Sequence, residues 1–210
     1  MVITYHKLEC VKIQFGDTVL VFNPPSKKSS EQSVRFSGDV VLSSIKHEDF
    51  YGVDTIPPKN GSVFVIDGPG EYEVKGVFVK GFPSKSNYDK KDLLNTIYTV
   101  KLEDMNICFL GALNEKELST AFLEDLEDIN VLFVPIGGDG VLDPVEAYKL
   151  AVKLAPNVII PVHYDGDKDK MLSTFLKEEG NTDIKPIDKF TIKKKEIEQM
   201  EGEIVVLASS

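Results

Sequence analysis

At 210 residues, with 42% hydrophobic and 28% charged residues, the chain has the length and composition of one soluble globular domain, 1–210, with a sizeable core. Its formal net charge of −10 argues against nucleic acid or an anionic membrane as a partner, because both recruit clustered Lys and Arg. No apolar run approaches the roughly 20 residues that span a bilayer, and two cysteines, Cys10 and Cys108, make neither a zinc ribbon nor a disulfide framework.

Met1 leads straight into strand-like sequence without a basic, apolar and cleavable segment in order, so a cytoplasmic location is the expectation. Val2 to Tyr5, Cys10 to Phe15 and Thr18 to Phe22 are β-branched and aromatic runs, with Gly16-Asp17 as the turn between the last two. Asn23-Pro24-Pro25 stops the third strand, since proline cannot donate to a ladder. Residues 26–38 read as a polar loop.

Val40-Val41-Leu42 is an apolar run that ends in Ser43-Ser44 and delivers Lys46-His47-Glu48-Asp49 at once. A rigid strand that presents such a cluster at its C-terminal end is a common way to build a site. The same stretch also reads as a strand entering a helix start with solvated acids. Strands resume at Val63 to Ile66. Glu71 to Val74 and Val77 to Lys80 pair around Lys75-Gly76, and 81–94 reads as an exposed loop. Two more strands follow, Thr96 to Lys101 and Asn106 to Leu110.

The second half changes character. Glu115 to Leu126 has helical spacing, and Ile129 to Pro135 is a strand apolar on both faces. Asp143-Pro144-Val145-Glu146 is a helix start with a capping aspartate, a first-turn proline and a glutamate placed to close a capping box. The helix runs to Ala155. Asn157 to Val162 is a second buried strand, ending at His163. A helix over 168–179 and short strands near 190–192 and 203–207 complete the chain, and Lys193-Lys194-Lys195 reads as a solvated edge or turn. The order, strands first and then β-α-β, predicts two packed sheets with helices outside. His47 and His163 both follow apolar strands and share a cleft if those strands point the same way.

Several segments, in order, resemble the metallo-β-lactamase superfamily, in its compact prokaryotic branch related to ascorbate-phosphate-lactonase-like hydrolases. They are Val2 to Pro25, Ile66-Asp67-Gly68-Pro69-Gly70-Glu71-Tyr72, Val134-Pro135-Ile136-Gly137-Gly138, Asp143-Pro144 with Glu146-Ala147, and Ile159-Ile160-Pro161-Val162-His163-Tyr164. The resemblance implies an α/β fold, a four-layer αββα sandwich of two mixed sheets, with the site at one edge between them. It also implies a dinuclear metal centre built from a His-x-His-x-Asp-His signature, a middle His, a bridging Asp and a final His. Laid on this chain, that pattern retains His47, Asp49 and His163. It is replaced by Ile45, Phe50, Ser86 and Ala112, with the register near Ser86 open by about one residue. Asn23 and Leu8 stand where the family carries an Asp and a His, while His6 does not fall on that His position and reads as a strand or surface histidine.

The expectation is therefore a pseudo-hydrolase or a binding/scaffold protein that has lost most of the dinuclear site and needs no cofactor. Its partner would be an unidentified small molecule or protein, and a homo-oligomer is compatible with the resemblance. Ile45, Phe50 and Ala112 would then mark any apolar ligand space. The alternative is a hydrolase with a residual mononuclear site at His47, Asp49 and His163, holding zinc, iron or manganese, with Asp49 as the catalytic group and Glu48 or Asp165 assisting. Without metal, Asp49 is expected to accept a hydrogen bond from His47 or His163. Lys46 and Lys85 read as solvated, the Gly137-Gly138 and Gly140 cluster as turn geometry, and Tyr164 as either a packing residue or a substrate contact.

Overall fold

The computed structural model describes residues 1–31, 34–166 and 168–209. Of the loop read over 26–38, Gln32 and Ser33 lie outside the described residues. In chain order the elements are β1 (Val2–His6), β2 (Cys10–Phe15), β3 (Thr18–Phe22), β4 (Val40–Leu42), β5 (Phe64–Ile66), β6 (Gly70–Val74) and β7 (Val77–Ser86). A 3-10 turn, Tyr88–Lys90, precedes β8 (Leu93–Leu102), β9 (Met105–Phe109), α1 (Thr120–Asp125), β10 (Val131–Pro135) and α2 (Pro144–Leu154). β11 (Val158–Val162), α3 (Lys170–Glu179), β12 (Phe190–Thr191), α4 (Lys194–Ile197) and β13 (Glu203–Ile204) follow.

These strands form two mixed sheets, the expected α/β sandwich. One runs β12-β1-β2-β3-β4-β5 and the other β13-β11-β10-β9-β8-β7-β6. β1 to β3 are antiparallel, β3 to β5 parallel; β6 to β9 are antiparallel, while β9, β10, β11 and β13 are parallel. Alternation sorts the side chains of the first sheet. Tyr5, Ile13, Leu20, Phe22 and Leu42 enter the main core, where Phe22 meets Phe109 at 4.7 Å. Cys10, Val19, Val21 and Val41 face the other way, under Phe36, Val53 and Ile56. On the second sheet, Phe122 of α1 meets Phe82 edge-on at 5.2 Å, and α2 lies along β10 with α3 beside it.

The structure departs from the sequence reading where polar residues hide in strands. The segment 81–94 is no exposed loop, because β7 runs on to Ser86 and β8 begins at Leu93. Their nine-residue register pairs Ser84 with Asn95 and Ser86 with Leu93, so cross-strand pairing overrides the polar composition. The helix expected over Glu115 to Leu126 shrinks to Thr120–Asp125, because Ser119 caps it by accepting the Phe122 N–H. Asp143 caps α2 through the Val145 and Glu146 N–H groups as expected. Glu146 does not close the box; its carboxylate pairs with Lys149 and Lys116. Lys194 and Lys195 begin a one-turn helix rather than a bare turn.

Candidate functional site

The C-terminal ends of β4, β7, β9 and β11 meet at one edge between the sheets, which is what parallel strands in both sheets allow. β4 leads to Ser43, Ile45, His47, Asp49 and Phe50; β7 ends at Ser86 and leads to Tyr88; β9 leads to Gly111 and Ala112; β11 leads to His163.

The turn after β4 is fixed from within. The Ser43 hydroxyl donates to the carbonyls of Ile45 (3.1 Å) and Phe50 (2.8 Å), and the Tyr98 hydroxyl donates to Ser43 O at 2.8 Å. Gly52 lets the turn lie against Pro25, since a Cβ there would stand 2.1 Å from the Pro25 carbonyl oxygen. His163 is held in a left-handed conformation (φ 68°), with its N–H given to Leu8 O. It packs so close to Gly137 that a Cβ there would come within 2.3 Å of the imidazole. Gly140 does the same for the 3-10 turn, where a Cβ would meet Asn87 O at 2.5 Å. The glycine cluster is therefore close-approach and turn geometry.

His47 and Asp49 stay together. His47 Nδ1 accepts the Asp49 N–H at 3.3 Å and stands 3.5 Å from its Oδ2, while Nε2 faces Asp89 Oδ2 at 3.7 Å. The expected histidine donor to the Asp49 carboxylate is replaced by two hydroxyls. Ser29 donates to Oδ1 at 2.5 Å and Tyr88 to Oδ2 at 2.9 Å. Both reach Asp49 because neutral hydroxyls can approach a carboxylate inside the cleft, whereas His163 already has a partner. That partner is Glu9, whose Oε1 lies 2.9 Å from His163 Nδ1. Glu9 is fully buried. Its Oε2 accepts from Asn23 Nδ2 at 2.8 Å, Asn23 also donates to Ser44 Oγ at 2.8 Å, and Ser44 N donates back to Asn23 Oδ1 at 2.7 Å. A buried carboxylate is tolerated when its lone pairs are satisfied in this way.

Two aromatic rings lie between the histidines. Tyr88 meets His47 edge-on at 5.0 Å, Phe50 at 4.8 Å and His163 at 5.6 Å, and Phe50 stands 5.9 Å from His163. Ile45, Phe50, Ala112 and Val141 form a separate buried apolar cluster, with Leu8, Tyr88 and Leu93 packed against it. The apolar space expected there is filled. Burial, then the bond to Asp49, raises the Tyr88 phenol well above the ordinary 10.0, so it remains a proton donor. Ser86 is buried at the end of β7; its hydroxyl accepts the Tyr88 N–H at 3.2 Å.

The other candidates lie elsewhere. Lys46 pairs with Asp67 at 3.2 Å, and Lys85 approaches Glu115 at 4.0 Å; both are exposed, as read. Glu48 is exposed, and Asp165 pairs with Lys7 at 3.9 Å, so neither assists Asp49. His6 packs on Phe36 at 4.8 Å. Tyr164 is a packing residue, 5.0 Å from the Tyr5 ring and donating to Leu207 O. Sequence reasoning missed Glu9, Ser29 and Tyr88. Glu9 had a signal, a lone acid at the mouth of an apolar strand in Leu8-Glu9-Cys10. Tyr88 was an aromatic between Asn87 and Asp89, and Ser29 had no signal.

A family model described as the β-lactamase superfamily domain matches residues 2–163. The chain belongs to this superfamily. A metal-dependent hydrolase of Bacillus cereus is 25% identical over 201 residues, covering 79% of this chain and 86% of that protein. One from Pyrococcus horikoshii is 32% identical over 99 residues, 46% of this chain and 44% of the other. Among solved structures, a metallo-β-lactamase superfamily protein from Thermotoga maritima aligns with a TM-score of 0.78 and 27% identity, over 100% of this chain and 99% of its own. A metallo hydrolase of Ignicoccus hospitalis shares the fold at a TM-score of 0.63 and 18% identity, over 91% of this chain and 99% of its own. No helix among the described residues is long and apolar enough to cross a membrane.

Proposed function

We propose that this superfamily member no longer assembles a dinuclear metal centre and acts as a non-catalytic pseudo-hydrolase, a binding or scaffold protein. One observation carries the reading: the side chains between His47 and His163 are the rings of Tyr88 and Phe50, not ligands. A catalytic zinc takes three protein ligands and a water. Here the Asp49 carboxylate is committed to Ser29 and Tyr88, and His47 Nδ1 to the Asp49 N–H; His163 Nδ1 is held by Glu9, with Phe50 and Tyr88 packed against its ring. Among the described residues, no group of three His, Cys, Asp or Glu side chains is disposed to hold a metal ion. Ile45, Phe50, Ala112 and Val141 offer neither oxygen nor nitrogen, and an ion set against them loses its hydration without replacement. The residues present do not fit a metal pair. Elemental analysis of purified protein is expected to find zinc, iron and manganese well below one equivalent. A content close to one or two equivalents overturns the proposal.

A second reading, a mononuclear hydrolase site at His47, Asp49 and His163, is favoured by their meeting at one edge between the sheets and by the description of the Bacillus cereus relative as metal-dependent. Zinc, iron or manganese would be its ion, with Asp49 as the catalytic group. Crystals soaked in zinc and measured at its absorption edge decide between the two, since only this reading expects an anomalous peak between His47 and His163.

A further inference from the structure

The slot between the two histidines has the walls of a phenol site, and the chain fills it from within. Three rings, Phe50, His47 and His163, surround Tyr88. Ile45, Ala112 and Val141 close the apolar side, and Asp49 Oδ2 accepts the phenolic hydrogen bond at 2.9 Å. T-shaped aromatic contacts and a charge-assisted hydrogen bond together specify both a ring and its hydroxyl.

The backbone that carries the ring belongs to neither sheet. Tyr88 stands on a single 3-10 turn whose next two residues, Asp89 (φ 54°) and Lys90 (φ 56°), are both left-handed, a costly conformation for side chains with a Cβ. The turn is held to the rest of the chain by Asn87 N donating to Gly140 O at 3.0 Å, by the Ser86 hydroxyl, by the Tyr88–Asp49 bond and by Asp89 facing His47 at 3.7 Å. Hollows lie on both sides of the plug. One of about 450 Å³ is lined by His47, Asp49, Tyr88 and Asp89. The other, of about 210 Å³, is lined by Leu8, Gly137, His163 and Met171. Tyr88 lines the first and packs on His163, which lines the second.

We propose that Tyr88 is a displaceable plug, and that the slot it fills is a binding site for a small phenol-bearing ligand whose hydroxyl donates to Asp49 in place of Tyr88. The inference rests on the reading that no metal pair occupies the cleft. Movement of the 87–91 turn joins the two hollows into one trough with His47, Asp49 and His163 along it. A ligand competes with an intramolecular ring at high effective concentration, so the closed state reduces its apparent affinity by the fraction of open molecules.

The test is titration of the full chain with p-cresol, and with toluene as the analogue lacking the donor, followed by calorimetry and NMR. Tyr88→Ala is expected to bind p-cresol at least about tenfold more tightly than the unaltered chain, and about tenfold more tightly than it binds toluene, the effect of one hydrogen bond to a charged acceptor. Tyr88→Phe keeps the ring but releases the Asp49 latch, and is expected to bind p-cresol a few-fold more tightly than the unaltered chain. It decides the matter if the alanine variant does not fold. A folded Tyr88→Ala that binds no p-cresol, or binds toluene equally well, overturns the phenol site. An unaltered chain that binds as tightly as the variants overturns the plug. Metal content measured on the same samples reports separately on the metal-free reading.

Discussion

At the N-terminal end of β4, Asp39 reaches across to Lys75 in the β6–β7 turn, and a 2.5 Å ion pair ties one sheet to the other. At the C-terminal end of the same strand, the tie is made of packed rings around Tyr88 and a buried hydrogen-bonded chain running from His163 through Glu9 and Asn23 to Ser44. The first junction depends on one flexible, partly exposed lysine. The second rests on Glu9, Asn23 and Ser44, which are buried and have no water to fall back on, so each needs its neighbour. This edge is held by side-chain packing and hydrogen bonds.

Four changes break or sharpen this contrast. Glu9→Ala is expected to cost most, about 3–5 kcal/mol in urea unfolding, because it removes one partner of a buried pair and strands the His163 and Asn23 donors. A loss under about 1 kcal/mol shows that the polar chain is not a structural tie. Phe50→Ala follows, at about 3–5 kcal/mol by cavity formation in a fully buried ring site; a smaller cost in the same measurement means that Tyr88 can collapse into the space. Lys75→Met is expected to cost only about 1–2 kcal/mol, since Lys75 is 40% exposed and its pair is screened by salt.

The same junction sets a pH response. Burial alone raises the Asp39 carboxyl, but the bonds from Lys75 and the Val19 N–H outweigh it and hold the group below its ordinary 3.8. A lowered folded value means that this stabilisation is complete above pH 3.8 and is lost as pH falls through the folded value. Asp39→Asn therefore flattens the acid side of a stability-versus-pH curve, and an unchanged curve breaks the assignment. The smallest effect is expected at the thiols. Burial pushes Cys10 and Cys108 far above the ordinary 9.0, so neither reacts with a thiol reagent in the native chain, whereas both react once it is unfolded.

Much of the fold was legible because it follows from local rules. β-Branched and aromatic runs marked β1 to β3, an unbroken apolar run marked β10 and β11, and Asp143-Pro144 marked the start of α2. The length of β7 and β8 was not legible, because Ser84, Ser86 and Asn95 gain their places only through partners on the facing strand. The shortness of α1 was hidden too, since helical spacing continues past the point where Ser119 makes the cap.

The candidate site divides along the same line. The sequence by itself determined that His47 and Asp49 leave one strand together, that His163 ends another, and that Ile45, Phe50 and Ala112 lack donor atoms. Each of these is a property of residue identity and of position at a strand end. Only the tertiary structure decided what stands between the two histidines. Tyr88 arrives from a turn remote in sequence, Glu9 is brought under His163 from the other sheet, and Ser29 reaches Asp49 from a loop. Their roles arise from burial and from the direction of hydrogen bonds across the sandwich, which no local pattern encodes.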